Sequence, residues 1–251
     1  MDTDYGSTFV LESGKKGAPA IILLHGSVSN SFTWFSDAVV LSNDYNVFAV
    51  DIIGEPGFSD PVRPPYESGD YARWLKNLIE NLGLKSATII GLSLGGWMAL
   101  EFGTTYPDMM DNLILMCPGG LAPENPSFLW KALFYMLFGK WGSKQIFKLI
   151  NGGVLPDESV PGFKEVMEFT SLINKNFKPR MGKLPIFGRD RLSNLTIPVY
   201  LMFGENDYLL DPQKSIDHMK ESVPHAKIEL LKNTGHVIVN QTERILKFIE
   251  K

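Results

Sequence analysis

The 251 residues carry 24 Lys and Arg against 28 Asp and Glu, a formal net charge of −4, and 44% of them are apolar. Such a chain can bury one sizeable core. Its charge balance excludes a basic nucleic-acid binder, and its single cysteine, Cys117, excludes an internal disulfide.

The start, Met1-Asp2-Thr3-Asp4, lacks the basic region and apolar stretch of a secretory signal, and no apolar run reaches membrane-spanning length. A cytoplasmic location is the expectation.

Strand and helix patterns alternate, which predicts a parallel sheet covered by helices. Ser7 to Leu11 reads as an early strand. Ala20 to Leu24 is a continuous apolar strand running into His25-Gly26, and Asn46 to Val50 is another, running into Asp51. Asp70 to Leu82 carries Tyr71, Trp74, Leu75, Leu78 and Leu82 at helical spacing, with Gly83 as the stop. Ala87 to Ile90 is a short β-branched strand, and Leu94 to Tyr106 a helix ended by Pro107. Asn112 to Met116, residues 197–203 and Lys227 to Leu231 complete the strands, and Ile238 to Lys251 supplies a closing helix. From Pro118 to about Asp190 the rhythm breaks into helical patterns and loops with no convincing strand. The expected organisation is a core of residues 1–118 and 191–251, with residues 119–190 inserted as a helical lid.

Gly91-Leu92-Ser93-Leu94-Gly95 lies between a strand and a helix, the context that makes G-x-S-x-G a nucleophile elbow. The turn is tight enough to push Ser93 toward a strained backbone. Side chains at 91 and 95 are expected to collide with it. A serine hydroxyl needs a base within hydrogen-bond reach, and the base needs an orienting carboxylate.

In a parallel α/β sheet the chemistry gathers at the carboxyl ends of strands. That favours His25 and His236 over His218, expected to be solvated on a helix, and His225, in a turn. His236, after the last strand, is the chosen base. Asp207, past the strand at 197–203, is the chosen acid, with Glu205 and Asp211 as rivals. Asp211 precedes Pro212 and also reads as a helix N-cap. Two fixed donors are needed for the developing oxyanion. The Leu94 N–H is one, and the Ser27 N–H, beyond Gly26, is the other. Glu55, in the loop Asp51 to Ser59, is assigned no chemistry. Cys117 reads as a buried thiol at a strand end. No metal or nucleotide motif is present: there is no H-E-x-x-H, C-x-x-C or phosphate-binding glycine loop. Neither a metal nor a cofactor is expected.

Together these residues resemble the α/β-hydrolase superfamily. His25-Gly26, Asp51 to Ser59, Gly91 to Gly95, Gly204 to Asp207 and Gly235-His236 look like its landmarks in order, and Ser93, Asp207, His236 is its triad order. The resemblance covers the core but not the insertion. It implies that fold and a serine hydrolase.

A serine at the elbow, rather than an aspartate, argues against the dehalogenase and epoxide-hydrolase branches. His-Gly-Ser-Val in the oxyanion loop departs from the His-Gly-Gly-Gly of some lipases. The expected reaction is cleavage of a small carboxylic ester through an acyl-enzyme. Hydrolysis of a C–C bond or an amide by the same triad, and ligand binding with little turnover, are the alternatives.

Residues 128–150 combine Trp130, Phe134, Tyr135, Phe138, Trp141 and Phe147 with Lys131, Lys140, Lys144 and Lys148, and contain no acidic residue. Two readings stand. In the first, the segment is a lid whose Phe134 and Phe138 roof an apolar acyl pocket while the lysine heads reach water. In the second, it is a basic amphipathic surface for contact with a membrane. The sequence leaves the oligomeric state open.

Overall fold

Apolar runs of five or six residues are long enough to cross a sheet buried on both faces, and such runs build the centre of this one. The chain opens with a two-strand hairpin, β1 (Asp2–Thr3) and β2 (Gly6–Ser7). There follow β3 (Val10–Gly14), β4 (Ala20–Leu24), α1 (Phe35–Leu41), β5 (Asn46–Val50), α2 (Asp70–Asn81), β6 (Ala87–Leu92), α3 (Leu94–Thr105) and β7 (Met110–Met116). Next come α4 (Pro126–Met136), α5 (Gly139–Ile150), α6 (Phe163–Asn176) and α7 (Arg189–Leu192). The chain ends with β8 (Val199–Gly204), α8 (Pro212–Ser222), β9 (Lys227–Leu231) and α9 (Thr242–Ile249).

The computed structural model describes residues 1–153, 163–180 and 182–250, without the side chains of Leu129, Lys140 and residues 163–167. Part of the expected 119–190 insertion, the Leu129 and Lys140 side chains and Lys251 therefore lie outside the described residues.

The seven-stranded sheet runs β3-β5-β4-β6-β7-β8-β9. Only β3 is antiparallel to its neighbour. The order reverses at β4, which lies between β5 and β6. The crevice beyond the carboxyl ends of β4 and β6 is thus the place where an open α/β sheet holds ligands. Every residue of β4, β5, β6 and β8 is buried.

Helix α2 buries the predicted stripe of Tyr71, Trp74, Leu75 and Leu78. It ends before Gly83, whose φ of 72° turns the chain out of the helix. Helix α3 is buried from Leu94 to Thr104, as suits a helix packed on all sides. Each fully buried Leu, Ile or Phe of this core contributes roughly 1.5–3 kcal/mol relative to exposure.

Some boundaries differ from those expected. The early strand is broken at Thr8 and Phe9, because both leave the ladder. The buried Thr8 hydroxyl accepts the Trp74 indole N–H, and the Phe9 N–H donates to the Ser59 hydroxyl while the Phe9 carbonyl accepts the Asp51 N–H. Strand β8 starts at Val199, since Pro198 has no N–H to donate, although its carbonyl still accepts from Leu113. Helix α9 starts at Thr242, because Asn240 takes a left-handed φ of 58° just before it.

Between β7 and β8 the described residues hold no strand. Helix α4 is started by Pro126 and by the Asn125 side chain, which accepts the Ser127 N–H. The return segment is sewn to the core by the Trp97 indole on the Pro185 carbonyl and by Phe187 N–H on Gly120 O. Among the described residues, no helix is long and apolar enough to cross a membrane.

Candidate active site

Strand β6 runs straight into α3, and Ser93 alone makes the turn, with φ 52° and ψ −108°. That conformation is uncommon for a residue with a Cβ and is held by its surroundings. The Ser93 N–H donates to Met116 O at 3.0 Å, and its carbonyl accepts from Trp97 and Gly119.

The flanking glycines act differently from the expectation. A Cβ at Gly91 would lie 2.5 Å from the Gly95 carbonyl oxygen, and one at Gly95 would strike the Leu24 carbonyl oxygen. They clear backbone for the close approach of β6, α3 and the end of β4, rather than space around the serine side chain. The Gly95 N–H then bonds His25 O at 3.0 Å, tying the first turn of α3 to the loop after β4.

Ser93 Oγ lies 2.9 Å from Nε2 of His236, whose Nδ1 lies 2.7 Å from Asp207 Oδ2. The other carboxylate oxygen of Asp207 accepts the N–H groups of Leu209 (2.9 Å) and Leu210 (3.0 Å). Both Asp207 and His236 are buried, while Ser93 is partly open. The carboxylate therefore fixes the ring: Nδ1–H donates to Asp207 and Nε2 is left to accept from the serine hydroxyl. Such a chain can move a proton off Ser93 as its oxygen attacks an electrophile. The backbone N–H of His236 is also held, by Ile150 O at the end of α5, at 2.8 Å.

The rival residues are occupied elsewhere. Asp211 caps α8 by accepting the Lys214 N–H at 3.0 Å, and that bond holds its carboxyl below the ordinary range. Glu205 is exposed. His25 is fully buried. Its Nδ1–H donates to Gly26 O at 2.7 Å, and its Nε2 accepts the Ile52 N–H at 3.0 Å, so neither nitrogen is available as a base. Burial pushes its pKa down to about 4, which keeps the ring neutral. His218 is half-buried rather than solvated, with Nε2 on Phe187 O at 2.8 Å. His225 bonds Ile197 O.

Cys117 is buried at the end of β7, as expected, and burial raises its pKa well above that of an ordinary thiol. Its sulfur, an Asp207 oxygen and a His236 nitrogen lie within 4.8 Å of one another. As a metal donor set they fit poorly: the thiol stays protonated and the other two groups are bonded directly to each other.

Leu94 is the first residue of α3, so its N–H belongs to the unpaired first turn beside Ser93. The loop after β4 comes equally close: a Cβ at Gly26 would be 3.5 Å from the Ser93 Cβ.

Sequence reasoning missed the residue that holds this loop. Glu55, buried, accepts the Val28 N–H at 2.7 Å, with the Ser27 side chain also bonded to it. Val28 has a φ of 58°, an outlier for a β-branched residue. Burial raises the Glu55 pKa, and Arg63 and Arg180 offset this in part. Asp51 binds the Ser31 N–H at 2.8 Å. The only signal in the sequence was a pair of carboxylates in an otherwise apolar, glycine-rich loop.

Phe134 and Phe138, the expected acyl-pocket residues, lie on α4 and at the start of α5. They are 57% and 48% exposed, and their ring partners are each other, Tyr135 and Trp141.

The sequence model of the alpha/beta hydrolase family matches residues 21–247. Carboxylesterase YbfK of Bacillus subtilis (strain 168) is 31% identical over 265 residues, covering 99% of this chain and 86% of that protein. The crystal structure of the B. subtilis carboxylesterase CesB (YbfK) superposes with a TM-score of 0.83 at 27% identity, covering 98% of this chain and 89% of that one. The B. subtilis naproxen esterase (carboxylesterase NP) superposes with a TM-score of 0.83 at 27% identity, covering 100% and 87%.

Proposed function

The chain belongs to the alpha/beta hydrolase family and is a hydrolase, and from that premise we propose that it is a serine carboxylesterase acting on small-molecule esters. The observation that carries this reading is the hydrogen-bonded chain Ser93–His236–Asp207, at 2.9 and 2.7 Å. The similarity to carboxylesterases over nearly the whole chain supports an ester as the substrate.

Ser93 Oγ attacks the ester carbonyl carbon as His236 Nε2 takes its proton. The imidazolium is stabilised by the buried Asp207, which keeps Nδ1–H in place. Negative charge builds on the carbonyl oxygen, and the Leu94 and Ser27 N–H groups receive it. The tetrahedral intermediate collapses, the C–O bond breaks, and His236 returns the proton to the departing alcohol. A water, deprotonated by the same nitrogen, attacks the acyl-enzyme and releases the acid. The described part of the inserted segment serves as a lid beside this crevice, a reading supported by the Ile150–His236 and Asn125–Leu209 backbone bonds that tie it there.

Ser93→Ala tests the assignment. It should abolish labelling by a fluorophosphonate and lower kcat on p-nitrophenyl esters by about three orders of magnitude or more. Labelling that persists on another serine would overturn it.

A further inference from the structure

Trp130, Leu133, Phe134 and Leu137 follow the i, i+3, i+4, i+7 spacing of an amphipathic helix, a stripe that normally faces a core. Here it faces solvent: the four are 73%, 46%, 57% and 79% exposed. Met136, Phe138 and Trp141 extend the exposed apolar surface into α5. The two helices do have a packed inner side, where Gly142 sits buried against the Tyr135 carbonyl. The outer face is therefore left over after α4 and α5 have packed, and it is larger than the scattered apolar residues of an ordinary surface.

We propose that this outward face of α4 and α5 is a docking surface for an anionic lipid bilayer. Charge decides the occupant. Residues 128–150 contain four lysines and no acidic residue, in a chain of net charge −4. Lys131, Lys144 and Lys148 are exposed, with the Lys131 ammonium 4.6 Å from the Tyr208 ring centre. Exposed Trp, Phe and Leu interspersed along the chain with exposed lysines is the composition of a helix that lies in a membrane interface. A two-fold contact with a second copy would set one group of lysines against the other. Anionic headgroups neutralise the same charges and repel the acidic remainder of the molecule, which orients the insertion toward the bilayer.

The tryptophans give the test its readout. Trp34, Trp74 and Trp97 are at most 2% exposed, whereas Trp130 and Trp141 both stand on this face. The Ser93→Ala protein is mixed with vesicles of phosphatidylglycerol and phosphatidylcholine in equal parts, or of phosphatidylcholine alone. Binding is followed by tryptophan emission and co-sedimentation, so the result does not depend on whether Ser93 is the nucleophile.

The expected result is a blue shift and sedimentation with the anionic vesicles. Binding should weaken about tenfold or more as salt rises from about 0.05 to about 0.5 M. Trp130→Ser with Leu137→Ser should weaken it by about a hundredfold, while the main urea-unfolding transition stays at the parent's position. Three results would overturn the proposal: no binding, binding indifferent to lipid charge and salt, or binding unaffected by the double variant. So would a dimer in sedimentation velocity that the double variant dissociates, since the face would then belong to a second copy.

Discussion

Asp207 is distinguished from its neighbours by what its two oxygens already hold. One faces His236 and the other is gripped by two backbone N–H groups, so the carboxylate cannot rotate away. Asp207→Asn should keep the fold but present an amide N–H or a reversed acceptor to the ring, favouring the wrong tautomer. A loss in kcat of about four orders of magnitude is expected, by analogy with the same change in other triads. Asp211→Asn should leave kcat near the parent's, because Asn also caps helices. Steady-state kinetics on one p-nitrophenyl ester ranks the two, and the opposite ranking would move the acid to Asp211.

Glu55 calls for a different pair of substitutions. Glu55→Ala removes the acceptor of the Val28 N–H and should cost about 1–3 kcal/mol in urea unfolding. It should also lower kcat, since Val28 then has less to hold its left-handed φ next to Ser27. Glu55→Gln keeps an acceptor and should recover most of both. A Gln variant as damaged as the Ala variant would mean that the charge, facing Arg63 and Arg180, matters more than the bond.

At the scale of elements, the strands of the sheet centre were legible because burial on both faces leaves an unbroken apolar run, as in Ala20–Leu24 and Asn46–Val50. Ser93, Asp207 and His236 were legible because each follows a strand end, where side chains reach the crevice. Glu55 was not, because its partner is a backbone N–H 27 positions earlier, which no local pattern records. The α4 stripe shows a related limit of local pattern. Helical periodicity shows that a face is apolar but not what it meets.

The helix pair also yields a prediction of its own. A methyl at Gly142 would clash with the Tyr135 carbonyl, which is backbone and cannot swing aside. Gly142→Ala should therefore separate α4 from α5 although Ala is the better helix former. The expected signs are faster limited proteolysis within residues 126–150 and little change in the main unfolding transition. The core strands keep all their contacts. Unchanged proteolysis would show that the pair is not held by that approach.

For the whole molecule, two buried groups pull stability in opposite directions with pH. Glu101, 2% exposed on α3, has its pKa pushed up from 4.5 to about 7 by burial, with Arg191 and Arg73 opposing and Asp70 adding to the shift. A guanidinium nitrogen of Arg191 is 3.9 Å away, and Glu101 Oε2 has no hydrogen-bond partner among the described residues. A raised folded pKa means the native state binds the proton more tightly. This contribution is fully present below about 4.5 and is lost as pH rises through about 7.

His25, beside Asp51, has its pKa lowered from 6.5 to about 4, so its contribution is present above 6.5 and lost as pH falls through 4. Each shift corresponds to roughly 3 kcal/mol. Between about 4.5 and 6.5 the two slopes have opposite signs and nearly cancel. The pH slope seen there by chemical denaturation is therefore left to other groups, among them Glu55 and Asp37, whose carboxyl pKa burial also raises.

Glu101→Gln removes one slope and leaves the other. Relative to the parent, its stability should rise with pH across that window, because the falling contribution of Glu101 is gone. By about pH 8, where Glu101 would be buried and charged, the variant should exceed the parent by about 2–3 kcal/mol. If Glu101→Gln is instead less stable than the parent at pH 8, the Arg191 pairing outweighs the cost of burial and the charged carboxylate is a net stabiliser. Activity is the control: Glu101 lies outside the Ser93–His236–Asp207 chain, so p-nitrophenyl ester hydrolysis by the folded variant should match the parent's at every pH tested.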